Sequence, residues 1–409
     1  MAFAQKGYSL PDNDTKKRIA GNIRFQQAIL FIYVLASVFY IFPSGYPQPA
    51  DFLMAVGIGI GGIIYLAHSS FRLPYIYFAA VAFGIYVFLI NLVHWLFYHD
   101  LQLFLSSLYY IYNAALFILI CSLFEADPRG TETGLYKAVY TAFGVMFILV
   151  LFFPGIEGIR ATGPFNNPNQ LAYWSLLTAA IIIILKFHEK LNLFDLSIVA
   201  ASGYLQAVAL SKAGMISFIL LVAFLFFTRA VKTTHKLIGV FFVLIALLYG
   251  LNEFEAVHQK LSQIKTTDKV ISRLENIGSG GDDSLAGRGY LRVIDNPIYL
   301  ILGAGEGAYW RFDPLHPTRE LHSGIITLVF AYGIGGTFLF CCFLWLIFKR
   351  DWRFMIILGI LMLYGLTHQN IRFSYFWVFL ATCYGVSHYS QTQRFADKPV
   401  QDNQCQIST

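Results

Sequence analysis

Apolar segments close to twenty residues long recur along nearly the whole chain, and this repetition restricts the fold more than any other feature. An α-helix needs about 20 apolar residues to cross a bilayer, whereas a barrel strand needs about 10 of alternating polarity. Here the runs are long, so the expected fold is all-α: a polytopic membrane helix bundle with about 12 transmembrane helices and one long polar outer loop. The segments fall near 25–42, 51–67, 74–97, 102–124, 134–153, 170–187, 193–210, 214–230, 237–251, 322–348, 354–370 and 372–390. Charged residues are only 13% of the chain and hydrophobic ones 57%. A soluble domain carries about 25% charge, so this composition belongs to a membrane protein.

Basic residues set the direction of insertion. With both ends on the inner side, that side receives, among others, Lys16, Lys17, Arg18, Arg24, Arg129, Lys190, Lys232, Lys349 and Arg350. The short outer loops are then nearly free of Lys and Arg, as the positive-inside rule requires. The outer side holds Arg160, Lys212, Arg372 and the cations of the long loop. The net charge of +6 is therefore spread over loops that set topology, and no nucleic-acid partner is expected. The expected organisation is an inner N-terminal segment over 1–21, spans one to nine over 22–251, the outer loop over 252–321, spans ten to twelve over 322–390, and an inner tail over 391–409. The N-terminus lacks the apolar core of a signal peptide. Cys121, Cys341, Cys342 and Cys383 lie in apolar segments and Cys405 in the tail, which suits neither a disulfide framework nor a metal site.

The long loop is the one extended polar stretch. Phe254, Val257, Leu261 and Ile264 recur at helical spacing, which predicts an amphipathic helix, and Ser279-Gly280-Gly281-Asp282-Asp283 breaks it. A second short helix is predicted from Arg288 to about Asp295, stopped by Asn296-Pro297. Arg288 and Arg292 then share one face.

Four outward constellations have chemical possibilities, each with a plainer alternative. Arg160 through Ala172 enters the sixth span. Its Asn167 and Pro168 suit a helix start, while Arg160 with the amides of Asn167 and Asn169 suits polar ligand groups. Lys212, in the Leu210–Gly214 turn, either snorkels to the interface or binds a phosphate. Arg288 and Arg292 are either solvated or a diphosphate clamp, because guanidinium groups match phosphate oxygens. Gly303-Ala304-Gly305-Glu306-Gly307 lacks the strand and helix that a phosphate loop needs. His322, following Glu320 where the tenth span begins, is either a helix-start residue or an imidazole able to take a hydroxyl proton. Arg319, His368 and Arg372 lie on the same side and are further candidate ligand contacts.

Taken in order, Arg160, Asn167-Pro168-Asn169-Gln170-Leu171-Ala172, Leu210-Ser211-Lys212-Ala213-Gly214, Gly287-Arg288, Pro297 with Gly303-Ala304-Gly305, and His322 followed by Tyr332-Gly333-Ile334-Gly335 resemble the O-antigen ligase and polymerase superfamily. The resemblance covers roughly residues 155 to 345. It implies a GT-C-type, metal-independent, inverting glycosyltransferase of the bacterial inner (cytoplasmic) membrane, without cofactor, whose active site faces the periplasm. The donor would be an oligosaccharide linked to undecaprenyl diphosphate, embedded among membrane lipids. The acceptor would be a glycan or lipid A-core, and a chain-length regulator is a further candidate partner. By position, His322 would be the catalytic base or acceptor-positioning residue, and Arg288, with Arg160, Arg292 and Lys212, would hold the diphosphate. Lys212 stands where many members carry arginine, and His322-Ser323 where they often carry His-Asn.

Within that resemblance the Asn-Pro-Asn-Gln-Leu-Ala element favours an O-antigen or exopolysaccharide polymerase over a ligase. Two other classes fit the composition. One is a small-anion transporter, whose binding groups usually lie near the midplane on broken helices. The other is a structural membrane subunit.

Overall fold

The structure, a computed structural model, describes residues 13–43, 46–68, 74–157, 160–228, 289–312 and 320–390. The expected ninth span, the helix around Phe254–Ile264, the Ser279–Asp283 break, Arg288, Arg319 and the tail lie outside the described residues.

Helices follow one another with short turns. They are α1 (Asn13–Ala36), α2 (Pro49–His68), α3 (Tyr75–Tyr98), α4 (Leu101–Ala126) and α5 (Pro128–Phe152). A minimal hairpin, β1 (Ile156–Glu157) with β2 (Arg160–Ala161), leads into α6 (Pro168–Leu185), α7 (Leu193–Ala209) and α8 (Lys212–Phe227). Two short helices, α9 (Leu291–Asp295) and α10 (Tyr299–Leu302), precede α11 (Gly324–Phe348), α12 (Arg353–Gly365) and α13 (Ser374–Gly385). Among the described residues, α3, α4, α5, α6 and α11 are long and apolar enough to cross a membrane. Parts of α2, and α7, α8 and α12, are shorter apolar helices. The fold is that of a helical membrane protein.

Boundaries differ from the hydropathy reading at both ends. The first helix begins at Asn13 within the polar N-terminal segment and ends at Ala36, short of the expected 42. Polar residues propagate a helix as readily as apolar ones, so hydropathy does not mark its start. Beyond it, Gln48 takes over the backbone of the turn. Its Oε1 accepts from the amides of Ile41 and Phe42 at 2.9 and 3.0 Å, and its Nε2 donates to the carbonyls of Phe42 and Tyr46. The helix expected over 354–370 stops at Gly365 and gives way to the turn that carries His368 and Arg372.

The core centres on α6, where 89% of the apolar window is buried. Trp174 stacks on Phe143 and Tyr375, and Tyr173 on Tyr364 at 4.6 Å between centroids. The buried hydroxyls of Ser175 and Thr178 on α6 find partners, which matters where water is absent. Ser175 donates to the carbonyl of Ala172, and Gln206 of α7 donates to Ala172 and Ser175 at 2.6 and 2.7 Å. Asp195 is fully buried and closes a capping box at the start of α7, while Tyr136 and Tyr140 both donate to its Oδ1 at 2.8 Å.

The helix α11 is broken. Gly333 has φ 61° and ψ −168°, so the carbonyls of Phe330 and Ala331 lose their intrahelical donors. The amides of Ala304 and Gly305 take them at 2.9 and 2.8 Å. The glycine-rich run is thus inserted beside α11, about 14 Å along from Gly324.

Candidate functional site

Helices alternate in direction, so the turns after α1, α3, α5, α7 and α12 and the start of α11 gather at one end of the bundle. Hydrogen bonds tie these turns together. Asn166 donates to the carbonyl of Phe42 at 2.8 Å, Gly324 to that of His368 at 3.0 Å, and the Tyr290 hydroxyl to that of Leu366.

Arg160 projects from β2. Its Nε donates to the carbonyl of Ala209 at 3.0 Å and its Nη2 to Oδ1 of Asn169 at 2.7 Å. The first contact sets Arg160 against the turn whose Ser211 caps α8 just before Lys212. The second sets it against the first turn of α6. Asn167 is the N-cap of α6, its Oδ1 accepting from the amide of Gln170 at 3.0 Å, so the helix-start reading describes that side chain. The carbonyl of Asn169 accepts from the Tyr364 hydroxyl at 2.7 Å, and the Tyr364 ring lies 4.8 Å from that of His368.

His322 is exposed and sits one residue before Ser323, the N-cap of α11. Ser323 accepts from the amide of Ile326 and donates to the carbonyl of Gly365 at 3.0 Å. A chain of contacts therefore runs from Arg160 through Asn169, Tyr364 and His368 to the segment that presents His322. Gly289, the residue after Arg288, joins the same region: a Cβ there would meet Leu321 at 3.3 Å and the carbonyl of Glu320 at 3.8 Å.

Two candidate ligand contacts are engaged internally. Arg292 is 5% exposed, and its guanidinium lies 5.4 Å from the Tyr309 ring and 5.8 Å from that of Phe312. Arg372 pairs with Glu306, Nε to Oε1 at 3.3 Å, and with Glu320 through Nη2.

Sequence reasoning passed over the partners of this second cluster. Glu306 has no exposed surface. Its Oε2 accepts from the Tyr332 hydroxyl at 2.7 Å, and its amide donates to Asn91 at 2.8 Å. Burial pushes the Glu306 carboxyl above its usual range, against the opposing pull of Arg372 and the Tyr332 hydroxyl. Nearby, Arg311 donates to Nδ1 of His94 at 3.1 Å, and Nε2 of His94 faces the carbonyl of Gly303 at 3.0 Å. A guanidinium only donates, so the His94 proton resides on Nε2 and is given to Gly303. Asn91 and His94 sit inside an apolar helix, and polar groups in such a place were the available signal.

Among the described residues, no group of three or more His, Cys, Asp and Glu side chains is placed to hold a metal ion. No protein-family model matches the chain, and no curated protein matches it.

Proposed function

We propose that this protein is a membrane glycosyltransferase with about 12 spans, set in a bacterial inner membrane with its site facing the periplasm. It transfers a glycan from undecaprenyl diphosphate to a sugar hydroxyl, most simply as an O-antigen or exopolysaccharide polymerase, with ligation to lipid A-core as the alternative acceptor chemistry. The observation that carries this reading is the meeting at one end of the bundle of Arg160, Asn169, the Lys212 turn, His368 and the segment bearing His322. These residues are scattered along the sequence, and their convergence puts cations and an exposed imidazole at the same end of the bundle.

In the reaction, the acceptor oxygen attacks the anomeric carbon as its proton passes to the His322 imidazole. The bond from that carbon to the diphosphate oxygen breaks with inversion, and undecaprenyl diphosphate departs. Arg160 and Lys212, with Arg288 from the loop, stabilise the charge on the leaving group. Transfer assayed in nanodiscs with the undecaprenyl-diphosphate-linked glycan of the source membrane tests this. His322→Ala should abolish transfer and keep undecaprenyl diphosphate binding; a variant that still builds full-length glycan would falsify it.

One observation favours a second reading. The break in α11 and the inserted Gly303–Gly307 run are features that transporters use to bind ions. Uptake of a small anion into proteoliposomes, with no glycan transfer, would select that reading.

A further inference from the structure

Arg372 stands where the sequence predicts a ligand-binding cation, yet its Nε and Nη2 face two carboxylates from different segments. Nε faces Oε1 of Glu306 on the inserted loop, and Nη2 is hydrogen-bonded to Oε2 of Glu320. Its own backbone is fixed from two sides. Asn113 of α4 donates to the carbonyl of Arg372 at 3.0 Å, and the Trp377 indole donates to that of Ile371 at 2.8 Å. Glu306 is equally anchored, through Tyr332 and Asn91.

Glu320 is different. It lies in residues 320–322, which are not helical and lead to the cap of α11. Leu321 is buried beside Ala304 and Phe330, and Ser323 is tied to Gly365, so the exposed His322 lies between held residues. Glu320 is a further hold on its upstream side. Electrostatics point the same way. One guanidinium between two carboxylates has no surplus positive charge to offer an incoming diphosphate.

We propose that Arg372 is the positioning residue for His322: it links Glu320, two residues ahead of the imidazole, to Glu306 within the bundle, and does not bind the donor. What His322 does rests on the glycosyl-transfer reading; where it is held does not. A guanidinium suits this task because its separate N–H groups reach two acceptors in fixed directions, which an ammonium cannot do.

The test uses the full chain in nanodiscs, with undecaprenyl diphosphate as the binding probe and transfer from the source membrane's lipid-linked glycan as the rate. Arg372→Gln should lower kcat roughly tenfold or more, as small misplacements do, while the Kd for undecaprenyl diphosphate stays within about twofold. Arg372→Lys should recover part of the rate. A Kd that rises in step with the loss of rate overturns the proposal, and so does full rate in Arg372→Gln. If that variant does not fold, Glu320→Gln breaks only the arm toward His322 and must give the same split of rate from affinity. Should the wild type show no transfer, the glycosyl-transfer reading falls; should His322→Ala keep full transfer, the catalytic role of His322 falls; in either case amide exchange decides the rest. Exchange over 320–326 must then rise in Glu320→Gln while 303–309 stays protected; unchanged exchange over 320–326 overturns the positioning role.

Discussion

Nε of Arg372 stands 3.3 Å from Oε1 of Glu306, a carboxylate without exposed surface on a loop inserted between helices. The pair is anchored rather than free to separate, and its environment sets a dependence on pH. Burial raises the Glu306 carboxyl above its usual range, more than Arg372 and the Tyr332 hydroxyl bring it down. From the ordinary glutamate value of about 4.3 up to the raised folded value, the native state holds a proton that the unfolded chain has released. Stability therefore falls as pH rises through that window. Glu306→Gln does not titrate there. Thermal unfolding of both proteins across this range should show the wild type losing ground to the variant as pH climbs. A difference that stays flat, or moves in favour of the wild type, would contradict the raised carboxyl.

Gly333→Ala should be strongly destabilising. A Cβ there would press on the carbonyl of Ile301 and meet the amide nitrogen of Gly303 at 2.8 Å, in a backbone conformation that favours glycine. Strain of this kind costs about 1–3 kcal/mol before any clash is counted. A drop in the unfolding midpoint measures it, and proteolysis at the inserted loop should increase in parallel.

Arg160→Lys separates charge from geometry. Lysine keeps the positive charge, but one ammonium cannot reach the Ala209 carbonyl and Asn169 along the directions that Nε and Nη2 use. The Kd for undecaprenyl diphosphate should rise about tenfold, roughly 1.4 kcal/mol, with little change in unfolding midpoint. An unchanged Kd would remove Arg160 from the donor site.

Ser323→Ala removes the N-cap of α11 together with the bond to Gly365. Caps of this type contribute about 1 kcal/mol, so folding should survive. Transfer should fall further than stability does, because the lost hold lies next to His322. Equal loss of both would make Ser323 purely structural.

The helices were legible in the sequence because apolar length is a direct consequence of a bilayer core. The turns that bring Arg160, Asn169 and His368 together were legible as positions, since polar residues between apolar runs fall at helix ends. Their partners were not. Whether Arg372 faces a ligand or Glu306 depends on where the inserted loop lies, and that depends on the break at Gly333, which no hydropathy profile registers. Arg292 illustrates the same limit: helical spacing placed it on a face, but the Tyr309 and Phe312 rings that cover it come from a later turn. Glu306, within three glycines, looked like part of a failed phosphate loop, and only its depth in the bundle makes it an anchor.

The inserted run is gripped at both ends of its descent: Ala304 and Gly305 by the interrupted helix, and the amide of Glu306 by Asn91. Its length is thereby indexed to the helix beside it. Removing or adding one residue between Tyr299 and Ala308 would slide every amide past its carbonyl and withdraw the glutamate from its guanidinium. Such edits should be far less tolerated here than in ordinary surface connections, and homologous chains should preserve the spacing from Gly303 to Glu306 even where the flanking residues drift.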